Sequence, residues 1–426
     1  MQSTRPAPAR AEADQSAEAL LLALGRALHT CGAASYRVEE VLGRVAGALG
    51  VRADFFAAPT ELMYAITVGG VERTSMQRIE AAGLDLGRQA ALEALAQGVV
   101  AGTWTPDAAR AEVARIAESA PDSGPALMLL AAGTASAGAA CFFGGGVAEI
   151  AFALLAGLAV GLVGRLTAQR PTAGRLTELL GALLVSLLAT LAARIVAPLS
   201  LTVVTLAGVI GMVPGLTLTV GIGELAVRHL ASGTARLAGA LVVFLMLGFG
   251  AALGSRAGTG LAELLAAHLP PGSALAAGPL QLALPAMPPG SVLLAVVVAG
   301  LSFSVLFAAP RRDWLWVVVT CALAYAGDVA GAHLFGARLG GFLGALVAGL
   351  ASSVYARVFD RPSVVTRVPA MTMLVPGSLG FLSISALLVH DAASGIQTAF
   401  DVGLVAVALS AGLLAANLLL PPRRMR

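Results

Sequence analysis

Two Val-Pro-Gly triplets stand 162 residues apart, Val213–Pro214–Gly215 and Val375–Pro376–Gly377, each in the middle of an apolar run. Proline has no amide hydrogen and glycine relaxes the chain. A helix running through either triplet therefore leaves carbonyls one turn earlier without partners. Hydroxyls crowd the same places: Thr217 and Thr219 follow Pro214, Ser378, Ser383 and Ser385 follow Pro376, and Thr205 and Thr372 precede the triplets. Free backbone groups beside hydroxyls suit a small polar solute held inside an apolar medium. The plainer reading is two proline kinks whose hydroxyls bond back to their own helices. That the breaks come as a pair favours binding. The candidate substrate-binding residues are Pro214, Gly215, Thr217, Thr219, Pro376, Gly377, Ser378 and Ser383.

Acids near the ends of apolar runs are the second set. Ionisable groups there are functional candidates by default. Glu224 and Asp401 rank first for proton coupling, Asp328 next, and Glu178 also belongs to the group. A solvated interfacial carboxylate is the alternative at each. Arg194 and Arg357 suit an anionic substrate group, but snorkelling to headgroups explains them more simply. Arg37, Glu39 and Glu40 read equally as a regulatory or catalytic cluster and as solvated helix charges.

The elements that position these residues follow from composition. Hydrophobic residues make up 58% of the 426 and charged residues 12%, against roughly 45–50% and 25% in soluble domains. Mean hydropathy is +0.86. This excludes a soluble chain and indicates a polytopic membrane protein. All 27 basic residues are arginine. Without lysine there is no Walker A site and no Schiff-base chemistry. The three cysteines and five histidines are scattered, giving no disulfide framework and no metal or cofactor site. Nothing in the pattern calls for nucleic acid.

Charge divides the chain. Residues 1–124 carry 11 arginines and 15 acids, and residues 125–426 carry 16 and 9. The expected organisation is a disordered tail over 1–17 and a cytoplasmic α+β domain over 18–124. A first set of five membrane helices covers 125–254, a Pro-rich external connection 255–290, and a second set of five 291–426. In the soluble part, Leu20, Leu21, Leu24 and Leu28 mark one helix face. Val38, Val41, Leu42 and Val45 mark a second, with Ser35 as its N-cap. Strands follow at 51–57, 61–68 and 71–80, then helices at 85–100 and 106–118. The ten apolar stretches lie near 126–143, 146–164, 177–196, 200–223, 236–254, 291–309, 314–331, 339–356, 366–389 and 399–420. A short surface helix is expected at 259–268. With the soluble part in the cytoplasm, 13 membrane-part arginines fall inside (165, 170, 175, 228, 236, 311, 312, 357, 361, 367, 423, 424, 426) and three outside (194, 256, 338). That asymmetry sets a multi-pass membrane protein with both termini cytoplasmic; the expected location is the inner membrane.

The two halves repeat. The offset of 162 that aligns the Pro-Gly pairs also maps Ala231–Gly233 onto Ala393–Gly395, and with a one-residue slip Gly181-Ala-Leu matches Gly344-Ala-Leu. Five helices per copy is odd, so the second copy enters the membrane inverted, a transporter architecture with its site at the repeat interface. An old duplication kept for packing is the alternative.

With these landmarks the chain resembles the bacterial threonine/serine exporter family, in a form with both membrane halves fused. The resemblance rests on Cys31-Gly-Ala-Ala-Ser-Tyr-Arg-Val-Glu39, Pro59-Thr60, Gly83-Leu-Asp-Leu-Gly-Arg88, Val213-Pro-Gly215 with Glu224 and Ser232–Arg236, and Val375-Pro-Gly377. It implies export of threonine and serine driven by the proton motive force. Two-chain relatives imply dicarboxylate (succinate) export as an alternative. A membrane-anchored hydrolase or sensor is the alternative of another class. A homo-oligomer is left open.

Overall fold

The computed structural model describes residues 8–79, 83–120, 122–168, 174, 176–195, 199–268, 287–288, 290–388 and 390–421. Arg170, Arg175, Arg423, Arg424, Arg426 and most of the Pro-rich connection lie outside them.

The N-terminal part begins with α1 (Pro8–Thr30) and α2 (Ser35–Ala48). Helix α1 starts ten residues inside the stretch expected to be a disordered tail. Gly32 and Gly50 follow the two helices at φ 79° and 70°, left-handed positions that glycine adopts without steric cost. Three strands, β1 (Ala53–Ala58), β2 (Glu61–Val68) and β3 (Val71–Arg78), form an antiparallel meander in the order β1-β2-β3. Strand β2 alternates, sending Leu62, Tyr64, Ile66 and Val68 inward. They meet Leu20, Leu21, Leu24 and Leu28 of α1 and Val38, Val41, Leu42 and Val45 of α2 in one core. Helices α3 (Leu86–Val100) and α4 (Pro106–Glu118) close it, capped by the Asp85 carboxylate and the Thr105 hydroxyl.

The apolar part continues as α5 (Pro125–Phe142), α6 (Val147–Ala168), α7 (Thr177–Ile195), α8 (Leu201–Val209), α9 (Gly215–Ala226) and α10 (Leu230–His268). After the connection come α11 (Ser291–Leu306), α12 (Trp314–Phe335), α13 (Gly340–Phe359), α14 (Val364–Leu374), α15 (Gly377–Leu388) and α16 (Ala392–Leu419). Among the described residues eight spans are long and apolar enough to cross a bilayer, α14 with α15 counting as one of them, and α8 with α9, bent by 58°, make a ninth if counted as one. At 16 residues α11 is shorter than the stretch expected at 291–309.

Helix α10 corrects one expectation. The run at 236–254 and the surface helix at 259–268 are a single helix of 39 residues. It extends about 58 Å, nearly twice the hydrocarbon thickness. Gly254 and Gly258 lie against Leu183, Leu187 and Thr190 of α7, so the helix keeps a packing partner beyond its apolar stretch.

Contacts recur at the repeat spacing. Gly250 of α10 sits on the Leu179 carbonyl and Ala182 of α7. Its counterpart Gly412 of α16 sits on the Phe342 carbonyl and Ala345 of α13. Gly233 packs on Leu225 and the Gly221 carbonyl, and Gly395 on Leu387 and the Ser383 carbonyl.

Candidate functional site

Both triplets break their helices. The chain leaves α8 through a 3-10 turn, Ile210–Met212, and α9 starts at Gly215. The second break separates α14 from α15. Proline is the direct cause, since neither Pro214 nor Pro376 can donate an amide into a continuing ladder.

The two breaks touch. A Cβ at Gly215 would collide with Val375 Cγ1 and lie 3.1 Å from Gly377 Cα. A Cβ at Gly377 would lie 2.6 Å from Val213 Cγ1 and 3.5 Å from Gly215 Cα. Contact of i with j′ matched by j with i′ is what a two-fold relation produces. Gly215 and Gly377 are the first residues of their half-helices, so the positive ends of two helix dipoles converge here. The first-turn amides of each half-helix have no intrahelical acceptor. That arrangement attracts a carboxylate.

The hydroxyls divide. Ser383 donates to the Gly395 carbonyl at 2.7 Å and Thr372 to the Val368 carbonyl at 2.9 Å, so these follow the plainer structural reading. Thr219 is 3% exposed and its hydroxyl has no partner among the described residues, a cost that a polar ligand would remove. Thr217 and Ser378 are half-buried in the first turns after the breaks.

The acids divide too. Glu224, near the end of α9, is fully buried and both its oxygens are occupied. Oε1 accepts the Ser35 amide at 3.2 Å; Oε2 accepts the Ser232 hydroxyl at 2.6 Å and Arg236 Nε at 3.0 Å. Ser232 has spent its only proton, so in the 2.7 Å contact between hydroxyls Ser35 is the donor. Asp401 pairs with Arg338 at 2.9 Å. Asp328 is half-buried on α12 with no ion pair among the described residues. A Cβ on Gly344 of α13 would lie 3.0 Å both from Asp328 Cβ and from Leu374, the last residue before the second break.

Helix α2 departs from the expected cap. Ala34 holds the N-cap position and offers no side-chain bond, and Ser35 is the first helical residue. The Ser35 hydroxyl goes to Ser232, and Glu224, 189 residues away, takes the Ser35 amide. Of Arg37, Glu39 and Glu40, the first and last pair while Glu39 stands apart. Arg37 grips Glu93 of α3 through Nε at 3.1 Å and Nη2 at 2.7 Å and reaches Glu40 at 2.7 Å. Glu39 turns instead to the Ala57 amide at 2.8 Å and lies 3.6 Å from His229 Nδ1. Close by, His29 Nε2 bonds the Pro59 carbonyl at 3.0 Å, and burial holds its pKa below the usual imidazole value. Burial likewise pushes the Cys31 thiol up to about 11. Arg194 is exposed, and Arg357 is exposed and bonds the Pro421 carbonyl.

Besides Glu93, two acids of the membrane part escaped the sequence reading. Glu149, in the first turn of α6, holds the Ser200 and Gly146 amides at 3.1 and 2.9 Å. Asp313, 1% exposed just before α12, holds Arg361 just ahead of α14. Each ties the start of a broken helix to a neighbouring one. Their place at a helix start, where the dipole favours an anion, was the available signal.

A bundle of long apolar helices, two of them broken and meeting at glycine, defines a multi-pass membrane protein of transporter type. A family model described as "Putative threonine/serine exporter" matches residues 19–257, and a second, "Threonine/Serine exporter, ThrE", matches residues 292–419. The first alone spans more than half of the chain, which therefore belongs to the threonine/serine exporter family. No curated protein and no solved structure matches it.

Proposed function

We propose that this chain exports threonine and serine across the inner membrane, driven by the proton motive force. Ten crossings, arranged as two inverted five-helix repeats, rock about the paired breaks, with both termini and the α+β part over 18–124 in the cytoplasm. The observation that carries this reading is the reciprocal contact of Gly215 with Val375 and of Gly377 with Val213. Repeat interfaces built from broken helices are where such transporters hold their substrates.

The substrate carboxylate goes to the two convergent half-helix starts, and its ammonium to carbonyls freed at the ends of α8 and α14. Its hydroxyl goes to Thr217 or Ser378, with Thr219 two residues further along α9. A dicarboxylate needs fixed positive charge to leave water. Arg236 is already committed to Glu224, and Arg194 and Arg357 stay exposed, which favours a zwitterion over succinate. Of the three coupling candidates, Asp328 fits best. Glu224 has both oxygens filled and Asp401 has an arginine, whereas Asp328 stands beside the second break with no ion pair among the described residues.

The test is efflux from dipeptide-loaded cells. Thr217→Val and Ser378→Ala should each lower threonine efflux at least tenfold. Asp328→Asn should abolish its response to an imposed pH gradient. Intact threonine efflux in all three, with succinate efflux lost in Arg194→Gln or Arg357→Gln, would overturn the assignment.

A further inference from the structure

The N-terminal part completes its own helix starts with groups from the membrane part, and it does so twice. Ser35 at the head of α2 gives its amide to Glu224 of the first repeat. At the head of α3, Leu86 gives its amide to the Phe307 carbonyl at 2.9 Å and Gly87 to the Ala308 carbonyl at 3.0 Å, both just past α11 of the second repeat. Ala308 turns to φ 49° to present that carbonyl, a strained conformation for a residue with a Cβ.

These attachments lie close to the breaks. Leu86, fully buried, and Ala90 share one apolar cluster with Leu216, Leu374 and Val375. Helix α3 also packs on α14, the half-helix leading into the second break. On the other side, β1 packs on α10, and Tyr36 lies across the His229 ring at 6.3 Å.

Between its attachments the N-terminal part is a unit with its own core, tied by the Arg37–Glu93 pair between α2 and α3. A rigid unit fastened to both repeats holds them at one separation. If the repeats rock about Gly215 and Gly377, as in the export cycle on which this inference rests, one fastening must let go. The α3 end buries Leu86 in apolar contacts, and releasing it would expose that surface to water. At the Glu224 end the bonds that cross are those of the Ser35 amide and hydroxyl, and water can replace each of them.

We propose that the N-terminal part is a clamp across the inner ends of the two repeats, closed in this structure, with Glu224 as its releasable catch. Glu224 is then a positioning residue for the inner gate and not the proton carrier. The second repeat has no such catch, because Ala386 stands where the first has Glu224.

The test locks the catch. Ser35→Cys and Ser232→Cys are introduced together into the full chain after Cys31, Cys141 and Cys321 are replaced by alanine, and the protein is placed in liposomes. Threonine transport and backbone hydrogen exchange at residues 216–219 are read in the oxidised and reduced forms. The clamp predicts that oxidation lowers transport at least tenfold and slows exchange at the break several-fold, both restored by reductant. Equal transport in the two forms overturns it. If neither form carries threonine, the exporter reading has failed and exchange alone decides. Slower exchange on oxidation then supports the clamp, and unchanged exchange overturns it.

Discussion

Arg228 and His390, 162 residues apart, turn to φ 69° and 67° at the same place in two corners, one joining α9 to α10 and the other α15 to α16. The bonds around them match. His229 donates to the Glu224 carbonyl at 2.9 Å and Asp391 to the Ala386 carbonyl at 3.0 Å; Gly233 and Gly395 donate to residues 229 and 391, each at 3.0 Å. The charged side chains do not match. Glu224 and Arg236 of the first corner are replaced by Ala386 and Thr398 in the second, while Ser232 is kept as Ser394. Glu224 and Ser232 of the first corner are buried, and both bond Ser35 of the N-terminal part. In the second, Ser394 is exposed, Thr398 is half-buried and Asp391 caps its own helix. Backbone geometry is set by glycine placement and small-residue packing, which both copies keep. A buried carboxylate appears only at the corner where a docked partner completes its hydrogen bonds, since without them it would be costly.

The largest expected effect is at the contact the two copies share. Gly215→Val should abolish transport, because its Cβ would overlap Val375, and Gly377→Val should do the same against Val213. Gly211→Ala, with open space around its Cβ, should retain transport and expression. If both valine variants transport normally, the breaks do not form a shared pivot, and the comparison reduces to packing.

Next is the charged difference. Glu224→Ala strands Arg236 and the Ser35 amide, and should lower stability by on the order of 3 kcal/mol. Ser394→Ala and Thr398→Ala at the other corner should each stay within about 0.5 kcal/mol. Unfolding in detergent measures all three. Similar losses at both corners would mean that the N-terminal contact adds nothing to the first.

Much of this was legible in advance, and the limits have physical causes. Leu20, Leu21, Leu24 and Leu28 all proved buried on one face of α1, because a helix periodicity in a soluble setting reports burial directly. The breaks were legible because proline acts locally. Their mutual contact was readable only as an inference from the repeat. The Glu224 catch was not legible, since its partners Ser35 and Ser232 are ordinary helix-end residues and the pairing spans 189 positions. Nor was the length of α10: Ser255 and Arg256 end its apolar run without ending its packing against α7. The Arg37–Glu93 pair was missed because the charges were read along α2 and not across to α3.

A smaller difference separates Ser383 from Gly221, its counterpart in the first copy. Ser383 is 3% exposed and donates to the Gly395 carbonyl at 2.7 Å. Ser383→Ala should therefore cost about 1 kcal/mol in unfolding stability. Thr217→Val, next to the first break, should lower efflux with little stability change. A Ser383→Ala variant that keeps its stability but loses efflux would return Ser383 to the binding residues and make the two copies less alike.

The smallest effect is expected at the second acid–arginine pair, Asp401 with Arg338. Its distance, 2.9 Å, is close to the 3.0 Å of Glu224 with Arg236, yet the settings differ. The Arg338 side chain is 56% exposed and that of Arg236 18%. Water and salt screen the first pair, so its two charges gain little by meeting. A double-mutant cycle of Asp401→Asn and Arg338→Gln should give a coupling below about 1 kcal/mol that fades as salt is raised. The same cycle on Glu224→Gln and Arg236→Gln should give a larger coupling that salt barely changes. A large, salt-resistant coupling at Asp401 would mean that this pair is shielded from water during the transport cycle. An arginine held that tightly favours the charged carboxylate and opposes its protonation, so such a result would leave Asp328, without an ion pair among the described residues, as the acid most suited to carry a proton.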